Sequence, residues 1–186
     1  MAITYCLVCN ITGEKYYGSS TKTLEVRLNF HKHKSNTCVV LMTDLGHRCG
    51  YVGISPNHSL YKKEYSDTIP EELKSKLEKV LCEPIGKRGI IDILCHDPEN
   101  PRIGILFDVH GGITFSRGDG KYPIEKENIW WFGYDCAHAG DGKDLSVVSE
   151  SIREIELMYP NNDPVRSLEY CIKECESLSD QLEEIK

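Results

Sequence analysis

The sequence predicts an α+β fold: a mostly antiparallel sheet, helices packed on one side and a C-terminal amphipathic helix. Three observations predict it. Short β-prone runs recur along the chain, separated by turn-rich stretches. Two of these runs, FDVHGGITF at 107–115 and WWFGYDCAHAGD at 130–141, are dense in apolar residues and lead into glycine, histidine and aspartate. Three further segments repeat apolar residues at helical spacing.

In chain order, ITYCLVCN (3–10) alternates, ITGEK forms a turn and KYYGSS is a second strand, so a β-hairpin is expected. STKTLEVRLNFHKHK (20–34) reads as a helix with Leu24, Leu28 and His31 on one face. A weakly patterned link follows, then the strand RCGYVGIS (48–55). TIPEELKSKLEKVLCE (68–83) reads as a helix with Pro70 in its first turn and Leu73, Leu77, Val80 and Leu81 on its apolar face. GIIDILC (89–95), RIGILFDVHGGITFS (102–116) and NIWWFGYDC (128–136) read as strands. AHAGDGKD is a glycine-rich loop. SESIREIELMY (149–159) is a short helix with Ser151 and Glu154 at capping-box spacing. Asp163-Pro164 opens the last helix, 164–186, whose stripe of Val165, Leu168, Ile172, Cys175, Leu178, Leu182 and Ile185 packs on the sheet or pairs two chains as a homodimer.

Composition narrows the function classes. With 40% hydrophobic residues among 186, the chain can bury a core. No apolar run approaches the roughly 18–20 residues of a membrane helix, and no basic, then apolar leader opens the chain. Nine cysteines without such a leader imply reduced thiols in a cytoplasm rather than a disulfide framework. A net charge of −7 argues against broad nucleic-acid binding. The charge is uneven, since residues 1–48 hold six Lys/Arg against three Asp/Glu and the remainder therefore carries −10. That contrast suggests two units of different origin, an appendage (1–48) and the rest, which reads as a main α+β domain (49–160) and the C-terminal helix (161–186).

The appendage resembles the opening of a GIY-YIG nuclease domain. Tyr5 stands at the first motif's tyrosine, Tyr16-Tyr17-Gly18 at the second motif, and Arg27 at the helix arginine. The resemblance implies that a tyrosine helps activate water, the arginine stabilises phosphate charge and a later glutamate holds a metal. Here Ile3-Thr4 replaces the first motif's glycine-isoleucine, and the match spans only about 35 residues, which points to a relic hairpin and helix. Cys6-x-x-Cys9 has zinc-like spacing, with Cys38, Cys49, His31 and His33 as further donors, but residues three apart on a strand face opposite sides.

From Gly50 onward the chain resembles a family of uncharacterised phage and bacterial proteins. The resemblance rests on GYVGISPNHSLYKKEYSD, DVHGGITFS, WWFGYDCAHAGD and RSLEYCIKECESLSDQL. It implies a phage or mobile-element protein acting in the host cytoplasm and brings no activity with it, so the chemistry has to come from the residues.

On a strand, Asp108 and His110 share one face, and Trp131, Gly133 and Asp135 share another. Gly111 and Gly112 free the backbone for a bulge or a ligand. If the two strands are neighbours, Asp108, His110, Asp135, His138 and Asp141 converge beside Trp131, and His58 and Tyr61 close the patch. Such a surface suits a nucleotide-like ligand: Trp131 stacks, His110 and His138 donate, and Asp108 and Asp135 orient them or read hydroxyls. The positive charge for a phosphate is expected from Arg102 or Arg117. The favoured function is capture of such a ligand, with an anti-defence role. One alternative is a hydrolase of nucleotides or phosphodiesters using Mg or Mn, with His110, Asp135 and His138 as catalytic candidates or Cys136 as nucleophile beside His138. The other is an inhibitor that acts by protein contact alone.

Overall fold

The computed structural model describes residues 36–82, 84, 86–89, 97–118 and 120–185 in full, and 3–8, 15–20 and 29–33 as backbone. Strands β1 (Ile3–Val8) and β2 (Lys15–Ser20) pair antiparallel, as the hairpin pattern requires, and place Tyr5 opposite Gly18 and Leu7 opposite Tyr16. The side chains of Tyr5, Tyr16 and Tyr17, and Arg27 altogether, lie outside the described residues, as does the expected strand over 90–95. The helix expected over 20–34 is corrected at its C-terminal end, where residues 29–33 are strand β3 (Asn29–His33).

The main sheet has five antiparallel strands in the order β3, β4 (Asn36–Met42), β5 (Arg48–Ile54), β7 (Trp130–Asp135), β6 (Phe115–Arg117). β4 occupies the stretch that reads as a link. Its residues are buried on both faces, so the run TCVVLM shows no alternation. Cys38 and Val40 face the main core, while Val39 and Leu41 face a second, smaller one. Because β3 and β4 pair onward to β5, the sheet crosses the boundary drawn at residue 48.

β5 and β7 interlock through two glycines. Gly50 lies opposite Tyr134 and Tyr51 opposite Gly133, and a Cβ at position 50 would stand 2.4 Å from the Tyr134 ring. Each aromatic ring lies over the glycine of its neighbour, which fixes the register.

The main core fills one face of the sheet. It is closed by α3 (Leu168–Glu183), which lies on β4 and β5 and buries Cys171, Cys175, Leu178 and Leu182. The C-terminal stripe is thus used within the chain. The helix begins later than expected, with Ser167 as its N-cap accepting from Tyr170 N–H at 3.1 Å, and Val165 lies exposed before it. On the opposite face, Val39, Leu41, Tyr51 and Trp131 are covered by Phe115, Ile124 and Ile129.

The strand expected over 102–116 is corrected to a 3₁₀ turn (Ile103–Leu106), an extended segment and the short β6. Ile103, Ile105, Leu106, Phe107 and Val109 are all buried, and such an apolar run has the composition of a strand without needing a ladder. α1 (Lys74–Cys82) follows a 3₁₀ turn, Glu71–Leu73, and buries Leu77 and Val80 while Leu81 stays exposed. α2 (Glu150–Met158) has Ser149 at its N-cap, so Ser151 lies inside the helix and the expected capping box does not form. No described helix is long and apolar enough to cross a membrane.

Candidate functional site

The segment after the 3₁₀ turn alternates without being a strand. Phe107 and Val109 point into the core, while Asp108 and His110 point away from it. Gly111 and Gly112 both have positive φ (68° and 86°), and Gly112 N–H closes a turn on the carbonyl of Val109 at 2.9 Å. The chain then joins the edge of β7: Thr114 N–H donates to the carbonyl of Gly133 at 2.9 Å. DVHGG therefore does lie beside WWFGYDCAHAGD, and His110, Asp135, His138 and Asp141 come together.

Asp141 is the hub. Its side chain is 0% exposed, yet it is fully engaged. Oδ1 accepts from Arg166 Nε at 2.7 Å, and Oδ2 accepts from His110 Nε2 at 2.8 Å and from the backbone N–H of His138 at 3.0 Å. Burial works against the charge, but Arg166, then His110 and the His138 amide, outweigh it and hold the Asp141 carboxyl below the usual range. An ionised carboxylate only accepts, so His110 carries its proton on Nε2. Its Nδ1 is then the acceptor for the hydroxyl of Tyr170 at 2.9 Å. Burial, followed by the charge of Glu174, pushes Tyr170 up to about 12, so the phenol keeps its proton at neutral pH. The result is a continuous chain from Tyr170 through His110 to Asp141, with Arg166 at its far end.

His138 lies edge-on to His110, with ring centroids 5.7 Å apart. Its Nδ1 is buried and has no hydrogen-bond partner among the described residues; Asp135 Oδ1 stands 3.6 Å away and Asp141 Oδ2 3.9 Å away. Asp135 itself ends β7, accepting from Ala137 N–H at 3.0 Å and from Thr114 Oγ1 at 2.8 Å. His110, His138 and Asp141 each present one metal-binding atom, all within 4.8 Å of one another.

Four expected participants do other work. Trp131 is corrected from stacking platform to core: it is 0% exposed in the second core, on the face of the sheet that Phe115, Ile124 and Ile129 cover. His58 is buried, accepts from Leu60 N–H and bonds the carbonyl of Leu182 at 2.8 Å. Leu182 lies twelve residues along α3 from Tyr170, about 18 Å at helical rise, so His58 belongs to the other end of the helix. Tyr61 follows His58 in the same turn, its ring beneath Lys62. Asp108 accepts from Lys87 N–H at 2.5 Å, and both its backbone groups are held by the Gln181 amide. It shapes the Gly86–Lys87 turn at the edge of the site.

The thiol nucleophile reading falls, and the zinc reading loses one donor pair, while the side chains of Cys6, Cys9, His31 and His33 lie outside the described residues. Cys136 is buried against Cys171, Sγ to Sγ 3.8 Å, and this contact and burial push its thiol up, away from the nucleophilic form. Cys38 and Cys49 face opposite sides of the sheet and cannot share an ion.

The sequence pattern did not reveal Arg166, Tyr170, Glu174 and Lys87. Glu174 is buried, accepts from His110 N–H at 3.0 Å and pairs with Lys87. Arg166 and Lys87 both lie within 6 Å of the Tyr170 ring centroid, at 5.3 and 5.8 Å. The available signal was spacing: Arg166, Tyr170 and Glu174 recur every four residues, one polar ridge beside an apolar stripe. Compared with known proteins, the chain matches no family model, no curated protein and no solved structure.

Proposed function

We propose that this protein captures a small nucleotide-like ligand on the surface formed by His110, His138, Tyr170 and Arg166, and that it does so in a host cytoplasm as a phage-type, anti-defence protein. The observation that supports the reading is the shared Asp141 carboxylate, which ties together groups from the DVHGG segment, the β7 loop and the segment leading into α3. Burying a charged pair contributes little to stability, so an arrangement of this kind is better accounted for by the recognition groups it holds in place. The fixed imidazoles and phenol suit ribose hydroxyls and base edges. Lys87 and Arg166 beside Tyr170 supply positive charge for a phosphate, in place of Arg102 and Arg117.

A second reading, a metal-dependent hydrolase at the same residues, is favoured by the closeness of the donor atoms of His110, His138 and Asp141. One assay separates the two. The protein is incubated with mono-, di- and cyclic nucleotides, with and without added divalent metal, and the free pool is compared before and after heat denaturation. A compound that disappears and returns intact supports capture; one that returns altered supports turnover. An unchanged pool sinks both and leaves contact with a protein partner, for which Ile155, Met158 and Tyr159 offer an exposed apolar face.

A further inference from the structure

We infer that His110, His138 and Asp141 form a three-ligand site for a divalent ion of the zinc class. The first ground is His138 Nδ1, a buried imidazole nitrogen that makes no hydrogen bond among the described residues and stands between two carboxylates. Buried polar atoms are nearly always hydrogen-bonded, and an ion is one of the standard explanations where one is not. The second ground is distance. Ligands about 2.1 Å from a tetrahedral ion lie about 3.4 Å from each other. Asp141 Oδ2 is now 2.8 Å from His110 Nε2 and 3.9 Å from His138 Nδ1, each about half an ångström from ligating separation, and one ligand atom from each of the three residues lies within 4.8 Å of the others.

The third ground is the surroundings of each ligand. Ligating histidines and carboxylates usually have their remaining atoms held by hydrogen bonds. Here Tyr170 holds Nδ1 of His110, Arg166 holds Oδ1 of Asp141 and the His138 backbone N–H takes one lone pair of Oδ2, so the ion takes Nε2 and the Oδ2 lone pair that now accepts from it. On binding, neutral His110 keeps a single proton but moves it from Nε2 to Nδ1, and Tyr170 turns from donor to acceptor. Three protein ligands leave a fourth position for water or a ligand oxygen, and the His138 side chain at the site is 34% exposed. Two imidazoles select zinc, iron, nickel or copper over magnesium, which prefers an all-oxygen shell. This sharpens the hydrolase reading and rests on the same residues, but its test uses no nucleotide, so either can fail alone.

The test is titration of the full chain with Co²⁺ under a non-thiol reductant. The nine cysteines make a bare affinity ambiguous, and cobalt resolves this because thiolate ligation adds a near-ultraviolet charge-transfer band. The inference expects visible d–d absorption without that band, saturating near one equivalent. His138→Ala and His110→Ala each weaken it by at least about tenfold, and Tyr170→Phe by about tenfold through loss of the outer hydrogen bond. If His110→Ala fails to fold, His138→Ala decides, because its side chain is partly exposed. Cobalt bound only with the charge-transfer band, or equally by wild type and His138→Ala, overturns the inference.

Discussion

Gly111 lies directly beneath the imidazole of His138. A Cβ at position 111 would stand 2.2 Å from Cε1 of His138, and the residue holds φ at +68°. Both facts require glycine. Gly111→Ala should cost roughly 1–2 kcal/mol for the left-handed backbone and should also push the His138 ring away from Asp135 and Asp141. Urea unfolding reads the first effect and cobalt or ligand titration the second. Binding should fall by more than the lost stability explains.

Asp141 should dominate the acid response of the fold. Its folded pKa lies below the ordinary carboxylate value, so its contribution is complete above that value and is lost as pH falls through the folded one. Asp141→Asn leaves Arg166 and His110 without their shared acceptor and should cost about 3 kcal/mol at neutral pH. Urea midpoints measured from pH 7 downward should converge for wild type and variant in acid. Parallel curves would contradict this assignment.

Tyr170→Phe removes one hydrogen bond at a partly exposed position. A stability loss of about 1 kcal/mol is expected. The larger consequence is for His110, whose Nδ1 then has no fixed donor. Ligand or metal affinity should drop by more than this loss explains, while the melting temperature falls by only about 2–4 °C.

Trp131 and His58 should behave as structural residues. Trp131→Ala opens a cavity in the second core and should cost about 3–5 kcal/mol. Trp131→Phe should be much milder, because it also removes an indole N–H that is buried without a partner among the described residues. His58→Ala should cost about 1–3 kcal/mol by leaving the Leu60 amide without its acceptor and removing one of the donors to the Leu182 carbonyl, which keeps its bond from Ile185 N–H. Ligand affinity in the folded Trp131→Phe and His58→Ala proteins should match wild type in a direct binding titration.

The alternation of residues was legible where one pattern served one purpose. WWFGYDC and RCGYVGIS form the strands their spacing predicts, and the split of Trp131, Gly133 and Asp135 from Phe132 and Tyr134 holds. What alternation cannot reveal is that both faces are covered. The residues over Trp131 come from Phe115 and the 120–129 segment, whose sequence carries no strand or helix signal. For the same reason β4 reads as a link. In the candidate site, His110, His138 and Asp141 stood out because glycines flank them in turns. Tyr170 was obscured by the apolar stripe of its own helix, which says where the helix packs and nothing about its polar ridge, and Arg166 by lying just before the N-cap, in a stretch the pattern assigns to the helix.

The most direct measurement compares wild type with His138→Ala in the capture-and-release assay, each verified as folded by circular dichroism. The account predicts that wild type depletes at least one nucleotide-like compound from the panel and that His138→Ala depletes it far less. Equal depletion by both proteins would place the binding elsewhere and contradict the central claim.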